Sequence, residues 1–221
     1  MRAPRSKTAS DRSWIGRYSL GVTKRPLENL DLIKRVLGSE YLELSIRRLH
    51  VEEDLASEIT KVVVETSDEN GQAPRLDGEG CGLVDALYGA LLRRYGPEYQ
   101  SLQSIELTNF DVSARFETKT EHAGVDAVGE VSVDIRNSEG RIFTFSDASR
   151  SITSSTARAV LVAVEYFMNA ERAFITLYRS LKDAQERGRE DLVTRYTREL
   201  AEVVKSTSYA EVIENIRREL G

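Results

Sequence analysis

Two patterns of apolar residues run through the chain, alternation at a period of two and recurrence at helical spacing, and their order repeats. Leu42, Leu44 and Ile46, with Leu49 beyond, predict a strand with alternating faces. The β-branched run at 59–66 predicts a second strand, ending at the turn signal Ser67-Asp68-Glu69-Asn70-Gly71. A short segment at 72–77 leads into Gly78-Glu79-Gly80-Cys81-Gly82. Val84, Leu87, Tyr88, Leu91, Leu92 and Tyr95 then form one helical stripe over 83–95, which Gly96-Pro97 stops.

The second half follows the same order. Strands are predicted at 110–118 and 128–136, the latter alternating through Val131, Val133 and Ile135, and Asn137-Ser138-Glu139-Gly140 turns the chain into a third at 141–145. A Ser/Thr-rich stretch then opens a helix near 153–169 with Ala157, Val160, Leu161, Val164, Phe167 and Met168 on its stripe. Setting Gly71 on Gly140 gives an offset of 69 that pairs Leu42 with Asp111 and Leu83 with Ile152. The expected fold is α+β, two βββα units related by pseudo-twofold symmetry, with helices outside or between the stacked sheets. After Asn169 a charged helical extension is expected, with a break at Gly188 and a third short helix from Ser208, whose spacing to Glu211 fits a capping box. The organisation predicted is a basic extension at 1–38, the doubled unit at 39–169 and the helical extension at 170–221.

Charge is uneven along the 221 residues. Residues 1–25 hold seven basic side chains and one acid, so the overall net of −5 leaves −11 for the rest. The acidic body gives no electrostatic case for nucleic acid, and the Arg, Lys, Ser and Thr of the terminus suit a solvated tail. The run at 159–164 is far shorter than the ~20 apolar residues of a membrane-spanning helix, so no membrane partner is expected. The single Cys81 excludes a disulfide framework and a multi-thiolate metal site, and it fits a cytoplasmic protein. His50 and His122 are far apart, and no nucleophile elbow, phosphate loop or metal-ligand spacing occurs. Neither enzyme activity nor a cofactor is expected. The glycine cluster before the first helix suits either an anion cradle on helix N-terminal amides or a tight strand-to-helix connection.

The stretches GCGLVDALYGAL (80–91), HAGVDAVGEVSVDI (122–135) and SITSSTARAVLVAV (151–164) resemble, in order, three motifs of the C-terminal regulatory domain of the 2-isopropylmalate synthase and citramalate synthase family. That family's domain follows a catalytic barrel, dimerises and binds leucine or isoleucine as an end-product inhibitor. The resemblance implies a free-standing regulatory module here, a homodimer with an amino-acid effector and a separate catalytic subunit as partners, and a ligand site over Gly80, Gly82, Val84, Phe116, Thr120, His122, Gly124, Asp126, Ala148 and Arg150. An effector's carboxylate would meet amides at 80–84 or 150–153, and its ammonium a group such as Asp126. Its side chain would meet Val84, Phe116 and Ala148. Plainer roles stand beside these: Asp126 bracing the Gly124 turn, Val84 and Phe116 in the core, His122 as a hydrogen-bonded strand residue, and Arg150 facing solvent. The sequence departs from the motifs at Leu83, at His122 and at Phe145-Ser146-Asp147, where glycines are usual. The last departure adds bulk and charge near the implied pocket, which keeps open an alternative function as a ligand-free dimerisation or protein-interaction module.

Overall fold

The computed structural model describes residues 25–67, 75–115 and 128–205. Helix α1 (Arg25–Leu37) precedes the first unit, β1 (Ser45–Asp54), β2 (Ile59–Ser67), β3 (Arg75–Gly80) and α2 (Leu83–Tyr95). The second unit is β4 (Glu106–Arg115), β5 (Val128–Arg136), β6 (Ile142–Ser149) and α3 (Ile152–Glu186), and α4 (Glu190–Val204) follows. Each unit is an antiparallel three-stranded sheet in sequential order. The fold is therefore α+β with two βββα units, as the repeat predicts.

Alternation decides which face of each sheet is buried. Thr60, Val62, Val64 and Thr66 of β2 and Val131, Val133 and Ile135 of β5 point inward, while the intervening positions remain at least partly open to solvent. Helix α2 lies on β2 and β3, α3 lies on β5 and β6, and the two helices touch each other. Leu87 and Leu91 of α2 are fully buried, each stabilising the fold by roughly 1.5–3 kcal/mol. Phe143, Phe145, Tyr166 and Phe167 form an aromatic cluster that seats α3 on its sheet.

The repeat has two offsets. β2 and β5, and the starts of α2 and α3, are 69 residues apart, whereas β1 and β4 are 61 apart throughout. The difference lies in the connection, four residues at 55–58 against twelve at 116–127. Leu42 therefore corresponds to Gln103 rather than to Asp111. Each first strand carries a bulge at the same place, with Arg47 left over between Ile46 and Arg48 and Thr108 between Leu107 and Asn109.

Three predicted boundaries are corrected, the first being that β4 starts at Glu106 rather than at 110. The first strand starts at Ser45 because 41–44 is held instead by α3: the Asn169 carboxamide accepts from Leu42 N–H at 2.8 Å and donates to Leu42 C=O at 2.8 Å, and Glu165 accepts from Leu44 N–H and the Tyr41 hydroxyl. The second helix does not end near Asn169. No glycine or proline occurs between Ile152 and Glu186, so α3 continues for 35 residues, about 52 Å, to the left-handed Gly188 (φ +65°) at the predicted break. Glu171, also buried, accepts from the Ser101 amide at 2.8 Å and thereby anchors the chain ahead of β4. α4 folds back along α3 and reaches α1, where Arg35 pairs with Glu199. Among the described residues no helix is long and apolar enough to cross a membrane. The turn at 68–71 and the helix expected from Ser208 lie outside the described residues.

Candidate functional site

The strand-to-helix connections of the two units meet at one cleft of about 460 Å³. Its walls are residues 81–85 at the start of α2, Ile152, Thr153 and Thr156 at the start of α3, and Leu107, Phe110 and Val112 on the inner face of β4. The register places Phe110 opposite Val133 and Val112 opposite Val131, on the buried side of the sheet. Even so, both are about 40% exposed, because β4 lies at the sheet edge beyond the cover of α3. Tyr88 holds α2 near this strand by donating to the Ile105 carbonyl at 3.2 Å, and burial, with a smaller contribution from Glu106, pushes its hydroxyl well above its ordinary pKa of 10.

The two helix starts differ in charge. At α2, Asp85 in the first turn accepts the Cys81 N–H at 3.0 Å, so a carboxylate already occupies the positive end of the helix. At α3, Ser151 caps the Ser154 amide, and the Ser149 hydroxyl holds the Ser151 amide and pairs with Ser155. The amides of Ile152 and Thr153 have no acceptor earlier in their helix. Arg158, one turn further on, forks onto Asp147 of β6 at 3.0 and 2.6 Å and donates to the Ser154 hydroxyl at 2.7 Å.

Of the residues expected to form a ligand site, Gly82 and Val84 line the cleft. Gly80 stands behind it, packed so closely on α2 that a Cβ would lie 2.6 Å from the Ala86 nitrogen. Ala148 and Arg150 are exposed and are not part of the cleft lining. Phe116, Thr120, His122, Gly124 and Asp126 lie outside the described residues. Gly82 has extended backbone (φ 174°) and open space where a Cβ would be, so its conformation makes no demand for glycine. The demand falls on Gly78, where a Cβ would come within 2.2 Å of the Ala86 carbonyl oxygen. The glycines Gly78 and Gly80 thus serve the tight strand-to-helix contact.

The bulk of Phe145 and the charge of Asp147, expected near the implied pocket, fall outside the lining of this cleft. Phe145 is buried in the aromatic cluster, Asp147 is held by Arg158, and neither lines the cleft. The sequence reading missed Asp85, Leu107, Phe110, Val112 and Thr156 as cleft residues. The signal for Asp85 was its place in the first turn of α2, three residues after Gly82. Among the described residues no cluster of His, Cys, Asp and Glu is arranged to hold a metal ion. Cys81 is exposed, and the described histidine, His50, is an exposed residue of β1 outside the cleft lining.

The doubled βββα architecture brings its two helix starts together on one largely apolar cleft. The chain belongs to the family described as the LeuA allosteric (dimerisation) domain, whose match covers residues 24–168. No curated protein matches the chain significantly. The family match includes α1 and ends within α3, one residue before Asn169, so the second half of α3 and all of α4 lie beyond it.

Proposed function

We propose that this protein is a non-catalytic, cytoplasmic regulatory module that binds a branched-chain amino acid, leucine or isoleucine, in the cleft and acts as a homodimer on a separate catalytic subunit. The observation that carries the reading is the opposite charge character of the two helix starts on one apolar cleft. Asp85 supplies a carboxylate for an ammonium group, and the α3 start supplies first-turn amides, with no acceptor earlier in the helix, for a carboxylate. Leu83, Val84, Leu107, Phe110, Val112 and Ile152 supply the walls for an aliphatic side chain. A volume near 460 Å³ falls within the roughly 300–1,000 Å³ of small-molecule sites.

The dimer part of the proposal is supported by the family and by the exposed apolar residues Phe110, Val112, Val128 and Ile152. Light scattering at micromolar concentration should give twice 24.8 kDa; a single 24.8 kDa species with and without leucine removes it. Thermal-shift titration with leucine, isoleucine, valine and their keto acids tests the ligand. An amino acid at about 100 times its dissociation constant should stabilise the fold by about 2.7 kcal/mol, and keto acids should do less because they bring no ammonium to Asp85. A flat response across the panel refutes the sensing role.

A further inference from the structure

The two helix starts are pseudo-equivalent, yet one contains a device that the other lacks. The offset of 69 that superposes α2 on α3 sets Gly78 against Asp147 and Gly89 against Arg158. In the first unit Gly78 lets α2 sit almost in contact with β3, with the Ala86 carbonyl where a Cβ of residue 78 would be, and Gly89 brings no side chain to this contact. The second unit fills the same place with an ion pair. Arg158 Nε and Nη2 both donate to Asp147 Oδ2, at 3.0 and 2.6 Å, and Nη1 donates to the Ser154 hydroxyl at 2.7 Å. Arg158, in the second turn of α3, therefore ties the end of β6, through Asp147, to the first turn of the helix, through Ser154, across the connection at 150–151. Ser149 closes the same connection from the other side through Ser151 and Ser155. Asp147 is mostly buried, its side chain 14% exposed, which favours a fixed geometry over a transient surface pair.

We infer that Arg158 is a positioning residue of the cleft: forked onto Asp147, it holds the start of α3 in place so that the Ile152 and Thr153 amides are preformed for the carboxylate of a ligand. The inference rests on the amino-acid reading above and specifies how one end of that site is built. Preorganisation of this kind removes ordering cost from binding. It acts only on what touches the α3 start, so it distinguishes ligands that have a carboxylate from ligands that lack one.

The test compares the full chain with Arg158→Met in two measurements. In ligand-free protein, hydrogen exchange at the Ser154 and Ser155 amides, which the Ser151 hydroxyl and carbonyl hold, should accelerate at least tenfold in the variant, while the buried middle of α3 keeps its protection. In calorimetry, leucine should bind about tenfold more weakly to the variant, whereas 3-methylbutylamine, which is leucine without its carboxylate, should bind both proteins equally. Arg158→Lys keeps the charge without the fork and carries the same comparison if the methionine variant fails to fold. Unchanged exchange at 154–155, or equal weakening of leucine and the amine, overturns the positioning role while the amino-acid reading stands. Wild-type protein that binds neither leucine nor isoleucine overturns both.

Discussion

Gly78→Ala isolates the contact on which the first unit depends. The added methyl would lie 2.2 Å from the Ala86 carbonyl oxygen, 2.8 Å from Val62 Cγ2 and 2.9 Å from Ala90 Cβ. Ordinary contact begins near 3.4 Å, so α2 would have to lift from β3 by about 1 Å. None of the three neighbours is the end of a long side chain that can swing away; one is helix backbone, and Val62 and Ala90 are buried at 1% and 3% exposure. Overpacking of a well-filled core costs about 1–3 kcal/mol, and the absence of a yielding neighbour places this substitution at the upper end, about 3 kcal/mol. At about 2–4 °C per kcal/mol for a chain of this size, the melting temperature should fall by about 6–12 °C. Gly82→Ala, with extended backbone and nothing within 4 Å, should cost under about 1 kcal/mol. Urea denaturation followed by circular dichroism, with the slope unchanged between variants, gives both values. Equal losses at the two positions would refute the close seating of α2 on β3 and return the demand for glycine to the helix start.

Two further outcomes follow from buried polar groups. Glu165→Gln replaces one of the two carboxylate oxygens that accept from Tyr41 and Leu44 with an amide donor, and should destabilise the fold by about 1–3 kcal/mol; a change within 0.5 kcal/mol in denaturant titration would show that the 41–44 segment is not held by α3. The raised Tyr88 pKa means that folding favours the neutral phenol, so its contribution is complete below pH 10, the unfolded value, and is lost as pH rises above it. Stability should therefore fall less steeply above pH 10 in Tyr88→Phe than in the wild type, and identical slopes would contradict the burial of that hydroxyl.

What could be read from the sequence and what could not have separate physical causes. β2, β5 and α2 were legible because each obeys one period from end to end: Val62 and Val64, Val131 to Ile135, and Leu87 with Leu91 all face one side. The first strand of each unit was misplaced because a bulge at Arg47 or Thr108 moves the alternation by one residue, leaving Ile46 and Leu49, or Leu107 and Phe110, three apart on the same face. The true length of α3 was hidden by a change of composition at Asn169 that does not change conformation. Polar residues there point inward to hold backbone elsewhere, which local pattern does not reveal. The glycine cluster was correctly seen as special, but the sequence could not divide the roles among Gly78, Gly80 and Gly82, since that depends on how near α2 comes to β3. Asp147 read as added charge near a pocket because its partner, Arg158, lies eleven residues away on another element.

The central claim, that the cleft between the two helix starts receives a zwitterionic branched-chain amino acid, is tested most directly by following backbone amide resonances while leucine is added. Saturable shifts should appear first at 82–85, 107–112 and 152–156, the three segments that wall the cleft, and 4-methylpentanoate, which lacks the ammonium, should produce weaker shifts concentrated at 152–156. Saturable shifts confined to the outer faces of the sheets or to α4, or no shifts at all at millimolar leucine, would contradict it.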